Sequence, residues 1–284
     1  MRQSLQLGLM ASGAVLLGLL GTEFTVAQKE EKLKAEDVVA KHLQSLGDPA
    51  KVAAVKTRRL EGTADFKIVM GGAGNLAGNA KFVSDEGKLQ FLMVFEDPMY
   101  HGERVSFDGE KLEVGTLRPG ARTPVGDFLF NNNEIVREGL FGGVLSTAWP
   151  LKDLAGRQAR LKYDGIKTVN GQKVHVLRYQ AKKQSGDLEI KLYFEAETFR
   201  HAGTLYKTTA GATIAATPDQ AARQENLDYT LEESFSDFKD VTGMTLPARW
   251  KISYSRTTHR KGNSIWQWEL NLNSAEAAPK KPGA

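Results

Sequence analysis

The chain has 284 residues, of which 41% are hydrophobic and 25% are charged, and it contains no cysteine. These values are ordinary for a globular protein and exclude a disordered chain, a collagen-like chain and a polytopic membrane protein. Without cysteine there is no disulfide, no thiolate nucleophile and no zinc–cysteine or iron–sulfur site. A formal net charge of +4 is mild for this length, so no nucleic-acid partner is expected.

The start of the chain has the layout of an export signal. Arg2 precedes an uncharged run, Ser4–Thr22, and the small residues Thr25 and Ala27 then stand where a signal peptidase selects small side chains. We expect residues 1–27 to be a cleaved signal peptide, which leaves a soluble mature chain that is periplasmic or secreted. The alternative is an N-terminal segment that is kept as an uncleaved anchor.

The mature chain begins with a helical pattern and then changes to a strand pattern. Apolar residues recur at helical spacing over Lys34–Leu46, which predicts one amphipathic helix ended by Gly47–Pro49. From Thr57 onward apolar and polar residues alternate, and Asp108–Gly109 and Asn170–Gly171 are strong hairpin-turn signals. The short connections predict antiparallel neighbours.

A helical stretch interrupts the strands in the middle of the chain. Val125–Leu154 has apolar residues at mostly helical spacing and is punctuated by Gly142–Gly143 and Pro150, which predicts roughly two or three short helices. The expected fold class is α+β and mainly antiparallel β. One strongly curved half-barrel domain over residues 28–274 would have about ten or eleven strands, an N-terminal helix and a mid-chain helical lid or plug. Residues 275–284 are expected to form a disordered tail.

The predicted helices are too short to cover a wide, flat sheet. They total about 40 residues, so the sheet must curl and the helices must cap its concave side. Every second residue of a strand points to the same face of the sheet. Several strands carry aromatic residues at such positions. Such a lining either encloses an apolar pocket or is filled as an ordinary core. The residues expected to line the pocket are Phe91, Met93, Phe95, Ile190, Leu192, Phe194, Trp250, Ile252, Tyr254, Trp266 and Trp268.

The second half of the chain carries the layout of a known family. Val174–Tyr179 and Leu192–Phe199 have the pattern of two strands with an acidic turn, and Phe235–Pro247 has the pattern F-x-D-F-x-x-V-x-G-x-x-L-P. With the N-terminal helix and the mid-chain helices, this order resembles the periplasmic outer-membrane lipoprotein carrier (LolA-like) superfamily. The resemblance covers most of the mature chain, Ala35–Asn273.

The resemblance implies an open half-barrel that holds acyl chains inside and has helices over its mouth. The stretch Phe128–Leu154 would be the lid, and Phe141, Leu145 and Trp149 would face a lipid or acylated protein cargo. Gly142–Gly143 would give the lid flexibility. A rigid plug is the alternative for this stretch.

The chain also departs from the carrier itself. It is longer, it has an extra loop at Ala210–Arg223, and the carrier's key arginine matches no single position, with Arg104 as one candidate. Two functions therefore stay open. One is carriage or binding of a lipid or lipoprotein cargo, as in outer-membrane lipoprotein sorting. The other is envelope sensing or protein interaction on the same fold, without a small ligand.

No pattern of residues indicates catalysis, a metal site or a cofactor. Gly71–Gly78 resembles a phosphate loop but leads into a strand, which predicts a hairpin loop. The histidines are scattered, no serine lies in a G-x-S-x-G motif, and the Glu232–Glu233 pair is expected to be solvated. A hydrolase would need carboxylates brought together from distant strands. The basic loops Arg118–Arg122 and Arg256–Lys261 are expected to be solvated turns or to touch an anionic membrane surface transiently.

Overall fold

The computed structural model describes residues 33–183, 186–210, 227–258 and 262–279. The expected signal peptide, most of the expected loop at 210–223, the basic residues 259–261 and residues 280–284 of the expected tail lie outside this part of the chain. Among the described residues, no helix has both the length and the apolar character needed to cross a membrane.

Short helices accompany a large sheet. Helix α1 confirms the predicted N-terminal helix, and it buries Val38, Val39 and His42 against the rest of the domain. The middle of the chain forms short helical pieces, as predicted. The helices are α1 Ala35–Ser45, α2 Pro49–Ala54, α3 Pro124–Asn131, α4 Glu134–Arg137 and α5 Leu154–Arg157, with 3₁₀ turns at Gly143–Leu145 and Pro150–Lys152.

Helix α2 begins where the sequence predicts only a helix end. The Asp48 carboxylate accepts hydrogen bonds from the backbone N–H groups of Ala50 and Lys51 at 2.7 and 3.3 Å, and Pro49 takes the first helical position. Aspartate is a preferred N-cap residue and proline is favoured in the first turn. The residues that end α1 therefore also start α2.

Twelve strands form one antiparallel sheet in the order β5-β4-β3-β2-β1-β14-β13-β12-β11-β10-β9-β8, and β6 and β7 form a separate ribbon. The strands are β1 Val55–Met70, β2 Asn75–Asp85, β3 Lys88–Phe95, β4 Arg104–Phe107, β5 Leu112–Val114, β6 Thr116–Arg118, β7 Ala121–Arg122, β8 Arg160–Val169, β9 Gln172–Gln180, β10 Glu189–Glu195, β11 His201–Ala210, β12 Leu227–Val241, β13 Met244–Thr258 and β14 Gly262–Pro279. The connection at residues 71–74 is a hairpin between β1 and β2, as expected for the glycine-rich stretch.

The main sheet is open and strongly curved. Strands β5 and β8 are its two edges, so the sheet does not close into a barrel over the described residues. In a flat sheet, β3 and β13 would lie about 19 Å apart, because three strands separate them. Yet the ring centroids of Phe91 on β3 and Trp250 on β13 are only 5.1 Å apart. The expected half-barrel, mainly antiparallel and curved, is confirmed.

The main sheet has twelve strands, slightly more than the roughly ten or eleven expected. Strands β4 and β5 have only four and three residues. The predicted hairpin turns are present. Asn170 and Gly171 both have positive φ angles, 49° and 81°, as a type I′ turn between β8 and β9 requires.

The prediction of a disordered tail is wrong for residues 275–279. Strand β14 continues to Pro279 and pairs with the start of β1, where Ala275 lies opposite Leu60 and Ala277 opposite Arg58. Alanine and glutamate have low strand propensity, so the local sequence gives no sign of this strand. The partner strand supplies the backbone hydrogen bonds, and the first and last strands of the domain lie side by side in the middle of the sheet.

Removal of residues 275–284 is expected to destabilise the domain, because Thr57–Leu60 of β1 would lose its backbone partners on one side. A few lost hydrogen bonds at about 1 kcal/mol each predict a loss of about 2–4 kcal/mol in the free energy of unfolding, measured by urea denaturation. Removal of 280–284 alone is the matched control. Equal unfolding midpoints for the two truncations would contradict the observed pairing.

Candidate functional site

The residues predicted to line a pocket lie together inside the half-barrel. They come from β3, β10, β13 and β14, and all belong to or pack against one hydrophobic cluster. Ten of them are at most 6% exposed and Trp266 is half-buried. Alternation along the strands therefore identifies the inward face correctly. Contact of these residues with a cargo stays a prediction.

The concave side is covered by the central segment, which we define as Phe128–Leu154. The centroid of the Phe141 ring lies 5.2 Å from that of Phe91 and 5.3 Å from that of Trp250. The interior of this structure is thus filled by side chains of the segment and of the sheet. The three residues predicted to face the cargo from the lid are at most 1% exposed: Phe141, Leu145 and Trp149.

A buried arginine on β1 holds the central segment. Arg58 is 3% exposed, and its Nη1 donates to the carbonyls of Val144 and Leu145 at 2.5 and 3.0 Å. Burial lowers the pKa of Arg58 to about 10, so the group is still charged at neutral pH. The two carbonyls satisfy Nη1 only while the segment is in place, Nη2 donates to the Met244 sulfur at 3.7 Å, and Nε has no hydrogen-bond partner among the described residues.

The sequence contains a signal that distinguishes Arg58. It stands on β1 in phase with Leu60, Ala64 and Phe66, all of which are buried, so its position points inward. A charged residue at an inward position of a strand is unusual and needs a partner. Arg104, the candidate suggested by the resemblance, is exposed on β4. Among the buried residues that the structure describes, Arg58 is the arginine that contacts the central segment.

A buried carboxyl group on β12 holds the same segment from the other side of the half-barrel. Glu233 is 0% exposed, Oε1 accepts the backbone N–H of Gly142 at 2.8 Å, and Oε2 accepts the Tyr206 hydroxyl at 2.9 Å. Burial raises the pKa of Glu233 to about 8, so the group is mostly protonated at neutral pH. The expectation that both carboxylates of the Glu232–Glu233 pair are solvated is therefore wrong for Glu233, because β12 turns it toward the core.

The glycines of the central segment allow close approach to the sheet. Gly142 and Gly143 have φ angles of 79° and 52°, in the region that favours glycine. A Cβ atom at Gly142 would lie 2.8 Å from the ring of Phe82, and one at Gly143 would lie 2.5 Å from the ring of His201. In this structure the two glycines allow the segment to pack closely against the sheet, and the flexibility expected of a lid stays a prediction.

Helix α1 contributes a third attachment. His42 is fully buried, its Nε2 accepts the indole N–H of Trp149 at 3.0 Å, and its Nδ1 lies 3.0 Å from the Phe199 carbonyl. Because Nε2 is an acceptor, the proton is on Nδ1, and the ring is neutral. Burial lowers the pKa of His42 to about 4.

The histidines come closer together than their scatter in the sequence suggests. The ring centroids of His42 and His201 are 6.3 Å apart. Burial also lowers the pKa of His201 well below its usual range, so both rings are neutral at pH 7. Among the described residues, no group of three histidine or carboxylate side chains could hold a metal ion.

Side-chain hydrogen bonds also join the rim of the half-barrel to the central segment. The Ser84 hydroxyl on β2 lies 2.8 Å from the Thr147 hydroxyl and accepts the Thr147 backbone N–H at 2.9 Å, and the Arg157 guanidinium on α5 donates to the Ala148 carbonyl at 2.8 Å. The central segment contains helical turns and no strand, so it does not pair with the sheet. Its polar attachments can therefore break without loss of the sheet's ladder.

Comparisons with known proteins give similarity in fold alone. No protein-family model matches the chain, and no curated protein is a significant match. A LolA superfamily protein from Nitrosomonas europaea is similar over 88% of this chain and 96% of its own, with 9% identity and a TM-score of 0.44. A domain described as a putative outer membrane lipoprotein-sorting protein, from Vibrio parahaemolyticus, is similar over 87% of this chain and 94% of its own, with 14% identity and a TM-score of 0.41.

A DUF1329 family protein from Desulfovibrio piger is also similar, over 84% of this chain and 92% of its own, with 12% identity and a TM-score of 0.40. The predicted resemblance to the lipoprotein carrier superfamily is confirmed as a resemblance. At these scores it carries no conclusion about the cargo or the mechanism.

The Glu233→Gln variant is expected to remove part of the pH dependence of stability. The folded pKa of Glu233, about 8, lies above its usual value of 4.5. The folded state holds the Glu233 proton more tightly than the unfolded state does. The contribution of this group to the free energy of unfolding is therefore fully present below pH 4.5 and is lost as the pH rises toward 8. Over that window the wild-type protein should lose up to about 1.4 kcal/mol per pH unit more than the variant. Urea unfolding at several pH values measures both slopes, and equal slopes would contradict the assignment.

Proposed function

We propose that this chain is an exported carrier or binder of a lipid or acylated protein, with the central segment as its lid. It acts without catalysis, in the periplasm or outside the cell, after residues 1–27 are removed. The observation that carries the proposal is the way in which the central segment covers the concave face; we call the segment in this role the cover. An apolar, aromatic concave face is closed by a segment that side-chain hydrogen bonds hold from several elements and that takes no part in the sheet.

Burial of an acyl chain from water supplies free energy that favours displacement of such a cover. Each buried CH₂ group is worth about 0.8 kcal/mol, so a chain of about 16 carbons supplies about 12 kcal/mol. The hydrogen bonds of the cover contribute about 1 kcal/mol each. The apolar contacts that Phe141 and Trp149 make with the sheet would be replaced by contacts of the sheet with the cargo.

The basic hairpin β6–β7 supports transient contact with an anionic membrane surface. Arg118 is exposed at its tip, and the Arg122 guanidinium lies 3.6 Å from the ring centroid of Phe130, which is 40% exposed. A pairing of cationic and apolar side chains suits the interface of an anionic bilayer.

A second candidate function is a protein-interaction or envelope-sensing module without a small ligand. The observation that favours it is the packing of the interior, where Phe141, Leu145 and Trp149 leave the predicted lining residues buried. The two functions differ in whether the central segment ever leaves the concave face.

A reversible lock on the central segment tests this difference. Ser84 and Thr147 are in contact, and the natural chain has no cysteine, so the Ser84→Cys/Thr147→Cys pair can be oxidised and reduced without competing thiols. We expect the reduced protein to take up stoichiometric phospholipid or acyl species when incubated with vesicles, and the oxidised protein to take up less than about a tenth as much. Mass spectrometry of organic extracts measures both. A folded protein that takes up no lipid in either state would favour the interaction module, and equal uptake in both states would remove the lid from the proposal.

The Arg58→Leu variant is expected to bind acyl cargo more tightly. The hydrogen bonds from Arg58 to the Val144 and Leu145 carbonyls exist only in the closed state, so their loss shifts the protein toward the open state. A shift of about tenfold in affinity is expected, with slower release of the cargo. Arg59→Leu, at an exposed position next to it, is the control and should bind as the wild type does. Weaker binding by Arg58→Leu would show that Arg58 contacts the cargo instead.

A further inference from the structure

A preformed groove lies outside the concave interior. It is bounded by α1, α2, the start of β1, the β2–β3 turn and the part of the central segment near Thr147, and its volume is about 720 Å³. This volume is within the range of about 300–1,000 Å³ that is usual for small-ligand sites. We call it the α1–α2 groove. It is open in the structure as it stands and needs no movement of the central segment.

The floor of the α1–α2 groove is apolar. Leu43 of α1, Val52 and Ala53 of α2 and Val55 of β1 line it, and Ala148 of the central segment closes one side. Leu43 and Val55 are only partly buried although they pack against the core. The apolar area that they leave uncovered lies in one groove and suits a single hydrocarbon chain.

The rim of the groove is cationic. Lys56, Lys152 and Arg157 line it, and the charge of Arg58 also acts on Lys152. Burial and then repulsion from Arg58, Lys56 and Arg157 lower the pKa of Lys152 to about 8, which shows that these positive charges act on one another.

Two carboxylates compensate this charge in part. Glu138 lies 3.6 Å from Arg157, and Glu86 is the acidic residue of the rim. Four cationic groups thus face two acidic ones, and the groove keeps an excess of positive charge next to an apolar floor. An anion placed beside Lys56 and Lys152 would relieve the repulsion between them.

We propose that the α1–α2 groove binds an amphiphile with one acyl chain and an anionic head group. The head group pairs with Lys56 and Lys152, and the chain lies on Leu43, Val52 and Val55. A fatty acid and a lysophospholipid share this chemistry. The inference does not rest on the proposed carrier function, because the groove exists while the central segment is closed.

Titration calorimetry with dodecanoate, lysophosphatidylglycerol, dodecanoylglycerol and inorganic phosphate tests the proposal. One or both of the anionic amphiphiles should bind at one site, while neutral dodecanoylglycerol and phosphate alone should bind at least about tenfold more weakly, since each lacks one of the two contacts. Which of the two anionic probes binds identifies the source of the ligand. Failure of both to bind the wild-type protein, or equal binding of dodecanoylglycerol, would overturn the proposal.

Two variants locate the binding in the groove. Lys56→Glu reverses an exposed rim charge, and Ala53→Trp fills the floor from an exposed position of α2. Each should weaken binding of the anionic amphiphile about tenfold or more. Arg59→Glu and Ala50→Trp make the same changes at exposed neighbouring positions outside the groove and should bind as the wild type does. Unchanged binding by Lys56→Glu and Ala53→Trp would overturn the assignment.

Lipid uptake by the groove variants separates this inference from the carrier function. Lys56→Glu and Ala53→Trp leave the concave interior unchanged, so they should take up phospholipid from vesicles as the wild type does while their binding of the anionic amphiphile falls. A parallel loss of uptake and of amphiphile binding in both variants would place the amphiphile in the interior and overturn the groove. Amphiphile binding by the wild-type protein without any lipid uptake from vesicles would support the groove and contradict the carrier.

Discussion

An open sheet with one apolar face must cover that face, and this chain has little helix with which to do so. The sheet therefore curls until residues on β3 and β13, with three strands between them, come into contact through Phe91 and Trp250. The curl leaves a concave space that one stretch of chain can close. The central segment closes it with Phe141, and the positions of α1 and of the polar side chains that face inward follow from that closure.

The parts of this structure that local pattern determines could be predicted, and the parts that distant partners determine could not. Alternation places Trp250 and Trp268 on the inward face, and Asn170–Gly171 forms the turn that its residue types favour. By contrast, Arg58 and Glu233 bind backbone groups that are 86 and 91 residues away in the sequence. No local pattern identifies such a distant partner. A charged residue at an inward strand position indicates only that a partner exists. Residues 275–279 escape prediction for the same reason, since β1 supplies their pairing.

The buried polar groups at the cover make its position specific. Arg58 loses hydration when the cover closes, and its hydrogen bonds to the cover offset that loss. Its hydrogen bonds to two successive carbonyls define where the turn at Gly143–Leu145 sits, which apolar contact alone does not. Glu233 fixes the position of the adjacent Gly142 in the same way, because its carboxyl group accepts the Gly142 backbone N–H. A cover held at a few polar points returns to one arrangement each time it closes.

The charges of these groups also determine what can open the cover. Between about pH 4 and about pH 8, His42 is neutral and Glu233 is protonated in the closed state, and Arg58, with a pKa of about 10, is charged throughout. In the closed state none of the three groups changes its charge within that range. Opening would expose Glu233 and return its pKa toward 4.5, so a rise in pH from about 4.5 toward 8 makes opening easier. An acyl chain acts on a different interaction: it competes for the apolar face itself, because it replaces the contacts of Phe141 and Trp149 with contacts of the same kind.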